Sequence, residues 1–303
     1  MNIQKNKLNI GRARRRVQIR SALLLTLGVC FAISALRCVH MTDLPQAWGW
    51  KWSLLEMLAT LACFGGGAYL GLCVLDGDHR QIVPMRNLSR AQILWLSLLG
   101  ALCVAPMTLV QDLLRALAGI PLQAALYAPQ RPVAFLQTVV KSVLLAPICE
   151  ELFFRGYLLH ALAPQGRLRA SIVTALCFAL VHPLEGFVPL SLLGMLLCWM
   201  VLHTQSLLAP LLLHMGYNLT LIVLDALGLS GLFAGWSFVS CVLRLALCTA
   251  FVSVLRRAYT ARAEIGSFAL WEGGKLTRRE WAKLIAALGL FIAAMITRRL
   301  VGL

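Results

Sequence analysis

The stretch Ala146-Pro147-Ile148-Cys149-Glu150-Glu151-Leu152-Phe153-Phe154-Arg155-Gly156 sets two adjacent carboxylates and a guanidinium inside an otherwise apolar run, residues 139–162. At the centre of a membrane-spanning helix each ionisable side chain costs roughly 2.5–3.5 kcal/mol on insertion scales, so three within about a turn and a half mark a site. At helical spacing Glu151 and Arg155 stand at i and i+4 and pair on one face, while Glu150, about 100° round the axis, points elsewhere. The spacing offers Glu150 no cation on its own face, which makes it the candidate general base.

Outward from this run the chain is built for hydrocarbon. Of 303 residues 60% are hydrophobic and only 13% charged, with a mean hydropathy of +0.79. That composition excludes an ordinary soluble domain and predicts an all-α polytopic transmembrane bundle of about eight to nine helices. The formal charge of +16 does not point to nucleic acid, because Lys and Arg cluster between apolar runs with no basic face or aromatic-interleaved motif. They read as topology determinants and as contacts to the lipid bilayer, the expected partner. Ten cysteines (Cys30, Cys38, Cys63, Cys73, Cys103, Cys149, Cys177, Cys198, Cys241, Cys248) form no C-x-x-C pair. They read as small apolar residues, not a disulfide or metal framework.

The apolar runs fall at residues 21–36, 52–75, 91–110, 139–162, 170–182, 188–202, 206–224, 232–255 and 282–296. Most approach the roughly 17–25 residues that a spanning helix needs. The basic segment 1–20 precedes the first run, and Arg37 and His40 follow it where a signal peptide would be cut. The expectation is an uncleaved first helix with a cytosolic N-terminus. Alternation then places Arg80, Arg86 and Arg90, the turn with Arg167 and Arg169, and the basic segment 256–279 on the same side, in keeping with the positive-inside rule. Arg298 and Arg299 break the pattern, and Thr277-x-x-Glu280 resembles a capping box before the last run. Three parts result: a basic tail with about three helices (1–132), a central core (133–224) and C-terminal helices with a basic loop (225–303).

The turn Ala163-Pro164-Gln165-Gly166-Arg167 lies about as far after Glu150 as before His182, so a helical hairpin would set both side chains roughly 20 Å deep and facing. Pro183 disfavours helical geometry at His182 and ends or bends the helix there; Phe178 precedes it by one turn on the same face. Past a second turn near His203-Thr204-Gln205 come His214 and Asn218, again one turn apart and at matching depth. Three helices are thus expected to bring Glu150, His182, His214 and Asn218 to one level. Taken singly, each imidazole or carboxamide could be interhelical glue, and Glu151 with Arg155 reads as a structural pair. Lys141 and Arg244 read as snorkelling or packing residues, and Asp225 and Glu185 as residues near an interface. A Cys149 thiolate is disfavoured by the two carboxylates beside it.

Together, Glu150-Glu151-x-x-x-Arg155, Phe178-x-x-x-His182 and His214-x-x-x-Asn218, in this order, resemble the three motifs of the CPBP family of intramembrane proteases (CAAX protease and bacteriocin processing, also called Abi). The resemblance covers roughly residues 133–224. It departs where some CAAX-processing members carry an asparagine four residues after the second-motif histidine; here Gly186 stands. The resemblance implies hydrolysis of a protein or peptide substrate in the membrane by a water that Glu150 activates and His182 positions. It further implies an oxyanion stabilised by His214 and Asn218, and helix geometry held by Glu151, Arg155 and Phe178. No tightly bound cofactor is expected; the alternative is zinc on Glu150, His182 and His214, a two-histidine, one-carboxylate set. A multi-pass protein of a bacterial plasma membrane is expected in preference to the endoplasmic reticulum. The competing class is a non-proteolytic membrane scaffold or regulator, such as an immunity or signalling partner, which would have no use for a spare buried carboxylate.

Overall fold

The computed structural model describes residues 17–33, 35–36, 48–75, 83–119, 132–183 and 186–260, and the named elements within them are all helical. Eight helices follow in order: α1 (Val17–Ile33) and α2 (Trp50–Val74), α3 (Arg90–Ala118), α4 (residues 132–162), α5 (Arg167–Leu180), α6 (Phe187–Thr204), α7 (Leu208–Ala226) and α8 (Phe238–Thr260). Five of them, α2, α3, α6, α7 and α8, are long and apolar enough to cross a membrane. The expected run 282–296 and the box at Thr277 lie outside the described residues.

Several boundaries differ from the apolar runs, each for a local reason. α3 begins on a capping box at Ser89, whose hydroxyl accepts from Gln92 N (3.2 Å) while Gln92 Oε1 accepts from Ser89 N (2.8 Å). It continues past residue 110 to Gly119, which closes it in the left-handed region at φ 62°. α4 starts at Pro132, seven residues before the apolar run, because a proline suits the first helical position. α8 starts only at Phe238, since Ser230–Phe233 forms a 3-10 turn and Gly235 takes φ 84°.

α4 is not a uniform helix. Wide π-type turns at Val140–Leu145 and Leu152–Leu158 flank the α-helical turn Ala146–Glu151 that holds both glutamates, a placement typical of functional segments. Around it a chain of rings fills the core: Phe153 and Phe154 meet edge to face at 5.1 Å, Phe64 lies 5.7 Å from Phe154, and Phe178 lies 5.5 Å from Phe154. Such pairs add about 0.5–1.5 kcal/mol beyond their buried area.

α3 and α7 approach closely through a glycine on each. A Cβ on Gly100 would collide with Leu213 O, and one on Gly216 would stand 2.5 Å from Ser97 O. Small residues at crossings let membrane helices pack backbone to backbone, and this crossing brackets His214. α8 is the outlier: 11% of its spanning window is buried, against 39% for α3, α6 and α7.

Candidate active site

Arg155 is fully buried and ties three helices together. Its Nη1 donates to Glu151 Oε1 at 2.9 Å, its Nη2 donates to Gly194 O on α6 at 3.2 Å, and its guanidinium sits 4.5 Å from the centre of the Phe178 ring on α5. The expected i, i+4 pair therefore forms, and it is also an interhelical anchor.

Glu151 has a second donor. His214 Nδ1, from α7, gives its hydrogen to the same Oε1 at 2.9 Å. The ring's other nitrogen, Nε2, lies 3.9 Å from Glu150 Oε2. Glu150 thus does not point away from its neighbour's partners: one imidazole spans both carboxylates. This follows from packing. α7 lies against α4 in such a way that a flat ring can use two nitrogens on opposite edges to reach side chains roughly 100° apart. With Nδ1–H committed to Glu151, the tautomer is fixed by that hydrogen bond and Nε2 is turned to Glu150.

His182 lies just past the end of α5, where Pro183 stops the helix. Its Nδ1 donates to Phe178 O at 2.7 Å, and its ring centroid is 4.8 Å from that of Phe178. Phe178 also meets the His214 ring edge to face at 5.6 Å. A single aromatic side chain therefore lies against both imidazoles and the Arg155 guanidinium.

Asn218 occupies a place that the spacing did not foresee. Ala146 N bonds back to Lys141 O, so in this wide-turn register Ser142 O should receive the N–H of residue 147. Residue 147 is proline and has none. Asn218 Nδ2 supplies the missing hydrogen at 2.8 Å. Its immediate partner thus lies about two turns before Glu150 on α4, nearer the start of the helix than the level expected. Pro147 was the readable signal.

Other polar residues missed by spacing alone also have partners on distant helices. Lys141 pairs with Glu56 at 2.6 Å and does not snorkel. Arg244 is fully buried, where it bonds Asp112 Oδ2 at 2.6 Å and also Gly235 O. Asp225, in the last turn of α7, is buried and lines a cavity of about 30 Å³ with Thr108, Asp112 and Arg115. Glu185 lies outside the described residues.

Two imidazole Nε2 atoms and a carboxylate, with each Nδ1 held by an oxygen, are the chemistry that zinc favours. Among the described residues, however, no three His, Cys, Asp or Glu side chains are gathered at a spacing that could hold a metal ion.

Residues 132–220 match the family model described as Type II CAAX prenyl endopeptidase Rce1-like. The matched segment contains Glu150, Glu151, Arg155, Phe178, His182, His214 and Asn218, and it agrees with the CPBP resemblance carried by those residues. No curated protein and no solved structure matches the chain.

Proposed function

We propose that this membrane protein is an endopeptidase that hydrolyses, within the bilayer, a peptide bond of a membrane-associated or lipidated protein or peptide. The reaction would be CAAX-type processing or peptide maturation. The observation that carries this reading is the His214 ring held between Glu150 and Glu151. The 3.9 Å separating Nε2 from Glu150 Oε2 is too long for a direct hydrogen bond and suits a single bridging water.

In this reaction Glu150 takes a proton from the water as its oxygen attacks the scissile carbonyl, and returns it to the departing amine. His182, fixed through Nδ1, orients the water with Nε2. His214, with Nδ1–H held by Glu151, would act on the oxyanion through Nε2 when that nitrogen also carries a hydrogen. Asn218, with one amide hydrogen on Ser142 O, has a second to offer the same oxygen. Removing one such donor typically costs about 10²–10³ in rate. Glu151 and Arg155 act by holding His214 in place. No step requires a tightly bound metal. The N-terminus and the basic ends of α3 and α8 face the cytosol, on the positive-inside pattern, and a bacterial plasma membrane is the proposed location.

Glu150→Gln should lower cleavage by about 10²–10⁴ while membrane insertion and thermal stability stay near wild type. The readout is the set of uncut precursors in membranes of a Glu150→Gln strain compared with a deletion strain, with metal content and chelator sensitivity measured on the purified protein. Full cleavage by the variant or its failure to fold would overturn the reading; stoichiometric zinc whose removal stops cleavage would replace the metal-free route by zinc held on Glu150, His182 and His214.

A further inference from the structure

A second cavity, of about 300 Å³, opens where the start of α3 meets the ends of α6 and α8. Its rim carries Arg86, Arg257 and His203, and among the described residues no acidic side chain lines it. Its floor is apolar: Leu96, Leu99 and Met200 reach into the buried core, at 7%, 1% and 1% exposure.

The rim is built, not incidental. Ser206 Oγ donates to Arg86 O at 2.8 Å and Leu207 N donates to Pro84 O at 2.7 Å, clamping the segment before α3 onto the turn between α6 and α7. Trp199 stacks on His203 with centroids 5.0 Å apart and planes 10° apart, which braces the imidazole. Trp95, half-exposed beside the cavity, is the kind of residue that settles at headgroup level.

A cationic rim over a greasy floor at the end of a membrane bundle matches one chemistry, a phosphate ester attached to an acyl chain. We propose that this cavity is a binding site for an anionic phospholipid, with the phosphate at Arg86 and Arg257 and the first methylenes of a chain along Leu96, Leu99 and Met200. Basic pockets between helix ends bind such headgroups by this combination of charge and apolar area. The volume, at the lower end of small-molecule sites, takes a headgroup and the start of a chain. The site does not depend on the hydrolytic reading, since none of its residues touches Glu150 or His214 in that scheme.

The test is native mass spectrometry of the full chain released from nanodiscs containing equal amounts of phosphatidylglycerol and phosphatidylcholine with identical acyl chains. Phosphatidylglycerol should be retained in preference, by roughly fivefold for each guanidinium. The Arg86→Gln/Arg257→Gln double variant should lose that preference. Val254→Trp, which fills the cavity from α8 and leaves both charges, should lose the bound lipid, and it decides the matter if the double variant fails to fold. Equal retention of the two lipids by wild type, or unchanged retention in Val254→Trp, would overturn the proposal. So would displacement of phosphatidylglycerol by an equal concentration of inorganic phosphate or of a short peptide with a free C-terminal carboxylate, which would mark an anion or peptide site.

Discussion

His214 is the residue on which the site turns. An isolated imidazole in hydrocarbon would be a poor catalyst, because nothing would decide which nitrogen holds the proton. Here Glu151 decides it, through a 2.9 Å hydrogen bond to Nδ1, and Arg155 in turn holds Glu151. A hydrogen bond to a charged group is worth about 1.5–3 kcal/mol, roughly 10–100-fold in rate where it holds the reacting group in place. Glu151→Gln is therefore expected to lower cleavage by about that factor, since an amide can still accept from Nδ1 but can also present an N–H to it. Arg155 belongs to the same unit, and its role could be half read from spacing. The i, i+4 pairing was legible, because helical geometry is local. The second donor to Glu151 was not, because it comes from α7 and no periodicity in α4 reports on α7.

At the scale of the element, α4 carries a proline where a wide turn meets a regular one. Pro147 removes a hydrogen that the wide turn needs, and Asn218 restores it from another helix. The sequence shows the proline plainly, yet not the turn that makes it matter, since π-type turns carry no period of their own. Of the helix ends, the stop that Pro183 imposes near His182 was legible; the Ser89 box and Gly119, which bound α3, went unread although their chemistry is confined to a few neighbouring residues. The crossing of α3 and α7 is a second element-scale device. Gly216→Val would press side-chain atoms against Ser97 O and drive α7 away from α3. Overpacking of this sort costs about 1–3 kcal/mol. A lowered unfolding midpoint together with reduced cleavage is expected, because His214 rides on the displaced helix. An unchanged midpoint would mean that the crossing yields without strain.

At the scale of the whole molecule, the helical runs were legible from hydropathy, while the way they associate was not. Lipid-facing and protein-facing apolar residues look alike in sequence, since hydrocarbon and core make the same demand. What distinguishes the interior is where charges meet. Glu56 joins α2 to Lys141 on α4, and Asp112 joins α3 to Arg244 on α8, partners far apart in the chain and invisible to any local pattern. Removing one member of a buried pair typically costs 3–5 kcal/mol, whereas replacing both by apolar groups is often neutral. Asp112→Leu alone and Arg244→Leu alone should thus each destabilise by about 3–5 kcal/mol, and the double replacement by far less. A double-mutant cycle on thermal unfolding measures this. Additive losses would show that the two side chains do not act as a pair.

The Asp112–Arg244 bond sits toward the start of α8, while Phe251, Val254 and Leu255 pack against the core near its other end, in the least enclosed of the five spanning helices. A buried ion pair at one end and a few partly buried apolar side chains at the other make Arg244 its firmer hold. A helix answers a thinner bilayer by tilting, and tilt about Arg244 swings Val254 and Arg257 through the widest arc. The breadth of the basic cavity is therefore expected to follow membrane thickness, which would make the bilayer a working part of the protein as much as its solvent.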